Sequence, residues 1–211
     1  LLSIHFGSDQ IPGPDQSEPI LLSGGTIHTI SGENIIGDIL FDKGIITKIG
    51  ENIISDNYKI IDITGKHVYP GFIASSTTLG LVEINAVRST RDYREVGNFN
   101  PNVFSERAYN PDSELIPITR SNGVLISHVI PLGGRISGKS ALMYLDGWTW
   151  EDCILHSPIG IHINWPKMNF SKNYWDDRSE EEMKKNRNKN LIELEEFMDQ
   201  SKSYKLLKDE G

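Results

Sequence analysis

The sequence predicts a mixed α/β fold, a compact antiparallel β module followed by β/α units, and three features carry that prediction. Short β-type runs separated by glycine and Asx turns fill residues 20–68. Apolar strands then recur at wider spacing after Pro70-Gly71, and a long charged run with an apolar stripe closes the chain. Strands separated by loop or helical material, rather than by tight turns, are the pattern of parallel β/α units.

Within the module the strand runs are 20–22, 26–30, 37–41, 45–49 and 59–63, and Asp42-Lys43-Gly44 offers the positive-φ tolerance of a tight hairpin. A buried strand is expected from Val68 onward, after the Pro-Gly break. Residues 88–120 are polar and irregular, the length of loop that usually carries function, with a short helix near 115–121. A second strand is expected at 124–130 and a third at 159–165, each as a parallel unit. From 178 to 209 the chain reads as one outer helix, with Glu180–Lys184 and Glu181–Lys185 as favourable i,i+4 pairs and Leu191, Leu194 and Met198 as its apolar stripe.

Composition narrows the function classes. A content of 37% hydrophobic residues in 211 is enough for a buried core, so disorder is not the default. The net charge of −8 argues against a nucleic-acid partner, which needs clustered cations to displace counterions. Cys153 is the single cysteine, which excludes an intrachain disulfide and a multi-thiolate zinc site. No apolar run reaches the roughly 18 residues that cross a bilayer. Residues 1–19 read as a flexible lead-in, and the apolar start fits either the tail of a signal peptide or a boundary, so secreted, periplasmic and cytoplasmic locations all stay open. An oligomer is compatible with these totals.

The hairpin Phe41-Asp42-Lys43-Gly44-Ile45-Ile46-Thr47-Lys48-Ile49-Gly50, followed by Ile61-Asp62-Ile63-Thr64-Gly65-Lys66-His67-Val68-Tyr69-Pro70-Gly71-Phe72-Ile73, resembles the entry into the barrel of the amidohydrolase superfamily. The stretches Leu79-Gly80-Leu81-Val82-Glu83-Ile84, Asn110-Pro111-Asp112-Ser113-Glu114 and Gly133-Gly134-Arg135-Ile136-Ser137-Gly138 resemble its imidazolonepropionase-like branch. The resemblance covers roughly residues 20–207. It implies a small β-sandwich portion over 20–67 and the first units of an incomplete TIM (β/α)8 barrel over 68–211, since a full barrel takes about 250 residues. It also implies a hydrolase of non-peptide carbon–nitrogen bonds acting on a small molecule, and a fragment inactive alone.

In that family a divalent metal such as zinc activates water at the barrel mouth. The first strand carries an Asp-x-His-x-His pattern, because residues two apart on a strand point the same way. Here Ala74, Ser76 and Thr78 stand at those positions, and hydroxyls are weak ligands beside imidazole. No metal ligand is therefore assigned, and a metal-free binding or scaffold barrel is the rival expectation.

The substrate-binding candidates are Ser76, Thr78, Glu83, Arg88, His128 and His162. The first four lie at or after the first barrel strand. His128 and His162 alternate with apolar residues on the later strands. Asp92 and Glu95 add charge near the same mouth. Trp148, Trp150, Trp165 and Tyr144 fit core or helix packing better than a substrate wall. Gly133 to Ser140 fits G-x-x-x-x-G-K-S, the pattern of a phosphate-cradling loop, so a P-loop nucleotide binder is the third expectation, although no accompanying acidic strand is visible.

Overall fold

The computed structural model describes residues 11–54, 57–170 and 178–210. It is a mixed α/β structure with two sheets and few helices.

The first sheet centres on β1 (Ile20–Ile27). Strand β2 (Ile35–Asp42) pairs with it antiparallel, and β3 (Ile45–Gly50) continues from β2. The β2–β3 turn has positive φ at both Lys43 and Gly44, the geometry that matches strand twist in a two-residue hairpin. Strands β4 (Lys59–Asp62) and β5 (His67–Val68) both pair parallel with β1, so the module is not wholly antiparallel as expected.

The break expected after Leu22 is absent. Ser23-Gly24 forms a bulge inside one continuous strand, and Asp38 on β2 holds it by accepting from Ser23 Oγ and Gly24 N–H, both at 2.9 Å.

The second sheet runs β6-β7-β8-β9. Strands β6 (Phe72–Thr77) and β7 (Val124–Val129) are parallel and joined through α1 (Leu115–Ser121). Here the expected topology changes. Strand β8 (Ile136–Tyr144) returns antiparallel to β7, and β9 (Ile154–Ile163) is antiparallel to β8 after the one-turn helix α2 (Trp150–Cys153). The third expected strand is therefore longer and is not a parallel β/α unit. A single parallel β/α unit, β6–α1–β7, is present among the described residues.

The long loop between β6 and β7 packs as a layer. Two 3-10 turns, Arg88–Thr90 and Ser105–Ala108, punctuate it. Its Leu81, Val82 and Tyr109, with Ile116 of α1, form the core against Val129, Ala141 and Met143 of the second sheet. The opposite face of that sheet is left open.

Helix α3 (Glu180–Glu210) matches the expected run. Glu180 and Lys184 pair at 2.6 Å, whereas Glu181 and Lys185 form no ion pair. Leu194 is buried, but Phe197 rather than Met198 makes the docking contact, stacking on Phe99 at 4.9 Å between centroids. Among the described residues, no helix is long and apolar enough to cross a membrane.

Candidate functional site

Side chains alternate across a strand, so the buried Ser127 and Val129 put His128 on the other, open face of the second sheet. There the His128 ring bridges three strands. Its Nδ1 lies 2.9 Å from the carbonyl of Ser75 on β6, and its Nε2 lies 2.8 Å from Ser140 Oγ on β8. A carbonyl only accepts, so Nδ1 carries the proton and Nε2 of the neutral ring accepts from the Ser140 hydroxyl. His162 on β9 completes the group, its ring centroid 5.7 Å from that of His128. Burial, and then the neighbouring His128, hold His162 below the usual imidazole range.

The other candidates sit apart from this cluster. Ser76 is exposed at the end of β6, and Thr78 is half-buried just beyond it; neither side chain hydrogen-bonds either histidine. Glu83 is a loop anchor, accepting from Ser113 Oγ at 2.9 Å and Asn110 Nδ2 at 3.3 Å. Arg88 is exposed and lines an open cleft with Arg91, Tyr93, Arg94 and Glu95. Asp92 lines an adjoining cleft. Of the six candidates, the structure brings together only the two histidines.

The P-loop expectation is overturned by position. A phosphate loop needs its glycine-rich turn to open a helix, where backbone N–H groups converge on the anion. Gly138, Lys139 and Ser140 instead lie inside β8, and the Lys139 ammonium sits 4.0 Å above the Phe104 ring. The preceding glycines are held by Asn164, whose Nδ2 donates to the carbonyls of Gly133 and Gly134 and to Ser137 Oγ.

The tryptophans divide. Trp150 packs on the core and carries Arg107 at 4.3 Å over its ring, while Trp148 and Trp165 are exposed. Cys153 is buried, and burial followed by the charges of Asp152 and Asp146 pushes its thiol up to about 11. That leaves it a packing residue rather than a nucleophile.

Sequence reasoning missed two residues. Ser140 was absorbed into the apparent phosphate loop, although a hydroxyl on a strand neighbouring His128 is a hydrogen-bond partner in waiting. Glu106 is 3% exposed, with one carboxylate oxygen accepting from Ser157 Oγ and the other without a protein partner. No local pattern marks it, since Ser157 is 51 residues away.

The donors present do not fit a metal at the end of β6. Ala74 has none, Ser76 and Thr78 offer weak hydroxyls, and both nitrogens of His128 are engaged. Among the described residues no three His, Cys, Asp or Glu side chains converge.

No protein-family model matches the chain. Over 128 residues, 56% of the chain, it is 29% identical to a dihydroorotase of Thermoanaerobacter sp. and 30% identical to one of Caldanaerobacter subterraneus subsp. tengcongensis. The chain spans 29% of the length of each. Among solved structures, an amidohydrolase from Thermotoga maritima matches with a TM-score of 0.65 at 27% identity, covering 68% of this chain and 38% of that one. These relatives support the amidohydrolase superfamily, and the superfamily is the level they support.

Proposed function

We propose that these residues form the N-terminal part of an amidohydrolase-superfamily hydrolase that acts on carbon–nitrogen bonds other than peptide bonds in a small molecule. The observation that carries this reading is the structural likeness to the Thermotoga amidohydrolase over two thirds of the chain. The local order of elements agrees with it. Strand β5 returns to the first sheet, and β6, α1 and β7 then make a parallel crossover, as expected where a β-sandwich portion (20–67) hands over to barrel units (from 68). The imidazolonepropionase-like branch rests on the residue resemblance alone.

On this reading the residues function within a longer chain and are inactive alone. The partial coverage of the relatives supports it. So does the exposure of large apolar side chains on sheet strands, including Ile36 at 73%, Phe72 at 64% and Ile73 at 58%, which a completed barrel and sandwich would cover.

On this reading His128 and Ser140 order the open sheet face, and Arg88 and the charged loop after β6 are assigned to substrate binding. Any metal would draw its ligands from outside β6.

One observation favours a second reading. With Ala74, Ser76 and Thr78 at the ligand positions, the protein could have kept the barrel as a metal-free binding scaffold.

The two readings part on one experiment. The full-length protein is purified, its metal content measured, and its turnover of a panel of cyclic amides and imides followed by ring opening. The hydrolase reading expects turnover with a stoichiometric divalent metal. Absence of both in a folded protein overturns it in favour of the scaffold. Residues 1–211 expressed alone should be inactive and prone to association; a monomeric, cooperatively melting and active product overturns the partial-chain reading.

A further inference from the structure

The cleft of about 290 Å³ between the start of α3 and the segment 165–170 is lined by neither His128 nor His162, and the charged side chains among its described lining residues have one sign. Met183, Asn186, Arg187 and Asn190 line one side; their spacing of three, four and seven residues puts them on one helix face. Trp165, Lys167 and Phe170 line the other, and Arg135 reaches in from the loop before β8.

Among the described residues, every charged side chain lining this cleft is a cation, in a chain whose net charge is −8. Arg178 also lines the cleft and has its own interactions, so the argument rests on Arg135, Lys167 and Arg187. The two arginines are half-buried and, among the described residues, hydrogen-bond to neutral groups. Arg135 Nη1 donates to the Asn164 carbonyl at 2.8 Å, and Arg187 Nε and Nη2 donate to Asn188 Oδ1 at 3.0 and 2.8 Å. Cations that line one cleft repel one another unless an anion joins them, and a guanidinium keeps further donors for a planar oxyanion.

The aromatic side chains specify the rest of the ligand. Trp165 is 63% exposed beside the cleft, and Phe170 lies under the Arg187 guanidinium at 5.3 Å. Exposed indole at the rim of a cationic cleft is a stacking surface, and the volume suits a small molecule rather than a polymer.

We infer that this cleft binds a small organic oxyanion carried on a flat ring, its charged group held by Arg135, Lys167 and Arg187 and its ring against Trp165. The shared chemistry is a phosphoryl or carboxyl group on an aromatic ring. The site requires neither hydrolysis nor metal.

The test uses the full-length protein with three probes, inorganic phosphate, benzoate and phenyl phosphate, followed by calorimetry and by quenching of tryptophan fluorescence. Phenyl phosphate or benzoate should bind several-fold more tightly than inorganic phosphate because of the ring, and the tighter of the two identifies the anionic group. Arg187→Gln and Arg135→Gln should each weaken that binding at least about tenfold, while Lys184→Gln, outside the cleft, leaves it unchanged. Should an arginine variant fail to fold by circular dichroism, Lys167→Gln, on an exposed segment, takes its place with the same expected loss.

No binding of any probe at millimolar concentration to folded protein overturns the inference. Binding indifferent to the cleft substitutions does the same. Because the readout is binding, failure of the hydrolase assay leaves this result standing.

Discussion

Ser140 Oγ lies 2.8 Å from His128 Nε2, while the Ser75 carbonyl occupies the other ring nitrogen at 2.9 Å. The carbonyl dictates the tautomer, and in the neutral ring the Ser140 hydroxyl then donates to Nε2 at 2.8 Å in preference to the Gly160 carbonyl at 3.5 Å. At neutral pH, nitrogen-resolved NMR of the full-length protein should therefore show His128 protonated at Nδ1. Ser140 is fully buried, so Ser140→Ala should cost about 1–2 kcal/mol by removing that bond. Finding the proton on Nε2 would dismiss this arrangement.

His162 gives the second prediction. Burial first, and the nearby His128 second, depress its folded pKa below the ordinary 6.5. The folded state thus disfavours the charged ring, so the unfolded chain binds the extra proton first as pH falls. Stability should be full above the ordinary value and decline as pH drops through it toward the folded pKa. Denaturation midpoints measured from about pH 8 to 5 should show this slope, and His162→Gln should flatten it. An equal slope in the variant would assign the effect to other groups.

The legible parts of this fold are those whose signal is local. Asp42-Lys43-Gly44 needs only its own backbone to make the turn, and the 178–209 helix needs only its composition. Strand β1 reads as two strands because Ser23-Gly24-Gly25 has the composition of a turn; what keeps it in one piece is Asp38, on another strand. Strand β8 goes unread for a related reason. Its Ser137, Gly138, Lys139 and Ser140 look like loop chemistry, yet each polar group is answered from elsewhere, by the Gly133 carbonyl, Asn164, the Phe104 ring and His128. At the candidate site, alternation names both histidines but not the serine that hydrogen-bonds His128, since pairing between strands is not written in either strand alone.

Asp38 supports the third prediction. Burial raises its carboxyl pKa, but hydrogen bonds from Ile53 N–H, Ser23 Oγ and Gly24 N–H outweigh that and leave it below the ordinary 3.8. The charged form is therefore favoured in the folded state. This contribution is present above the ordinary value and is lost as pH falls through it toward the folded pKa. Asp38→Asn keeps the shape but turns an acceptor into a donor facing N–H groups, so it should destabilise by about 2–3 kcal/mol at neutral pH. The deficit should shrink in acid, and chemical denaturation at two pH values checks both statements. A deficit that stays constant into strong acid contradicts the charged role.

Gly80 carries the last prediction. It follows β6 with φ of +77°, a conformation that L side chains rarely adopt, and its carbonyl accepts from Asn110 N–H at 2.8 Å, fixing the loop layer to the strand. A Cβ there would meet the ring carbons of Tyr109 inside van der Waals contact. Tyr109 is 3% exposed in the core and has little room to retreat. Gly80→Ala therefore combines left-handed strain of about 1 kcal/mol with overpacking of about 1–3 kcal/mol, and should lower the denaturation midpoint accordingly. The two parts are separable, because Tyr109→Leu in the same background frees the space and leaves the backbone strain. Measured against Tyr109→Leu alone, the added alanine should then cost only about 1 kcal/mol. If it costs as much as in the wild-type background, the ring contact is not what Gly80 serves.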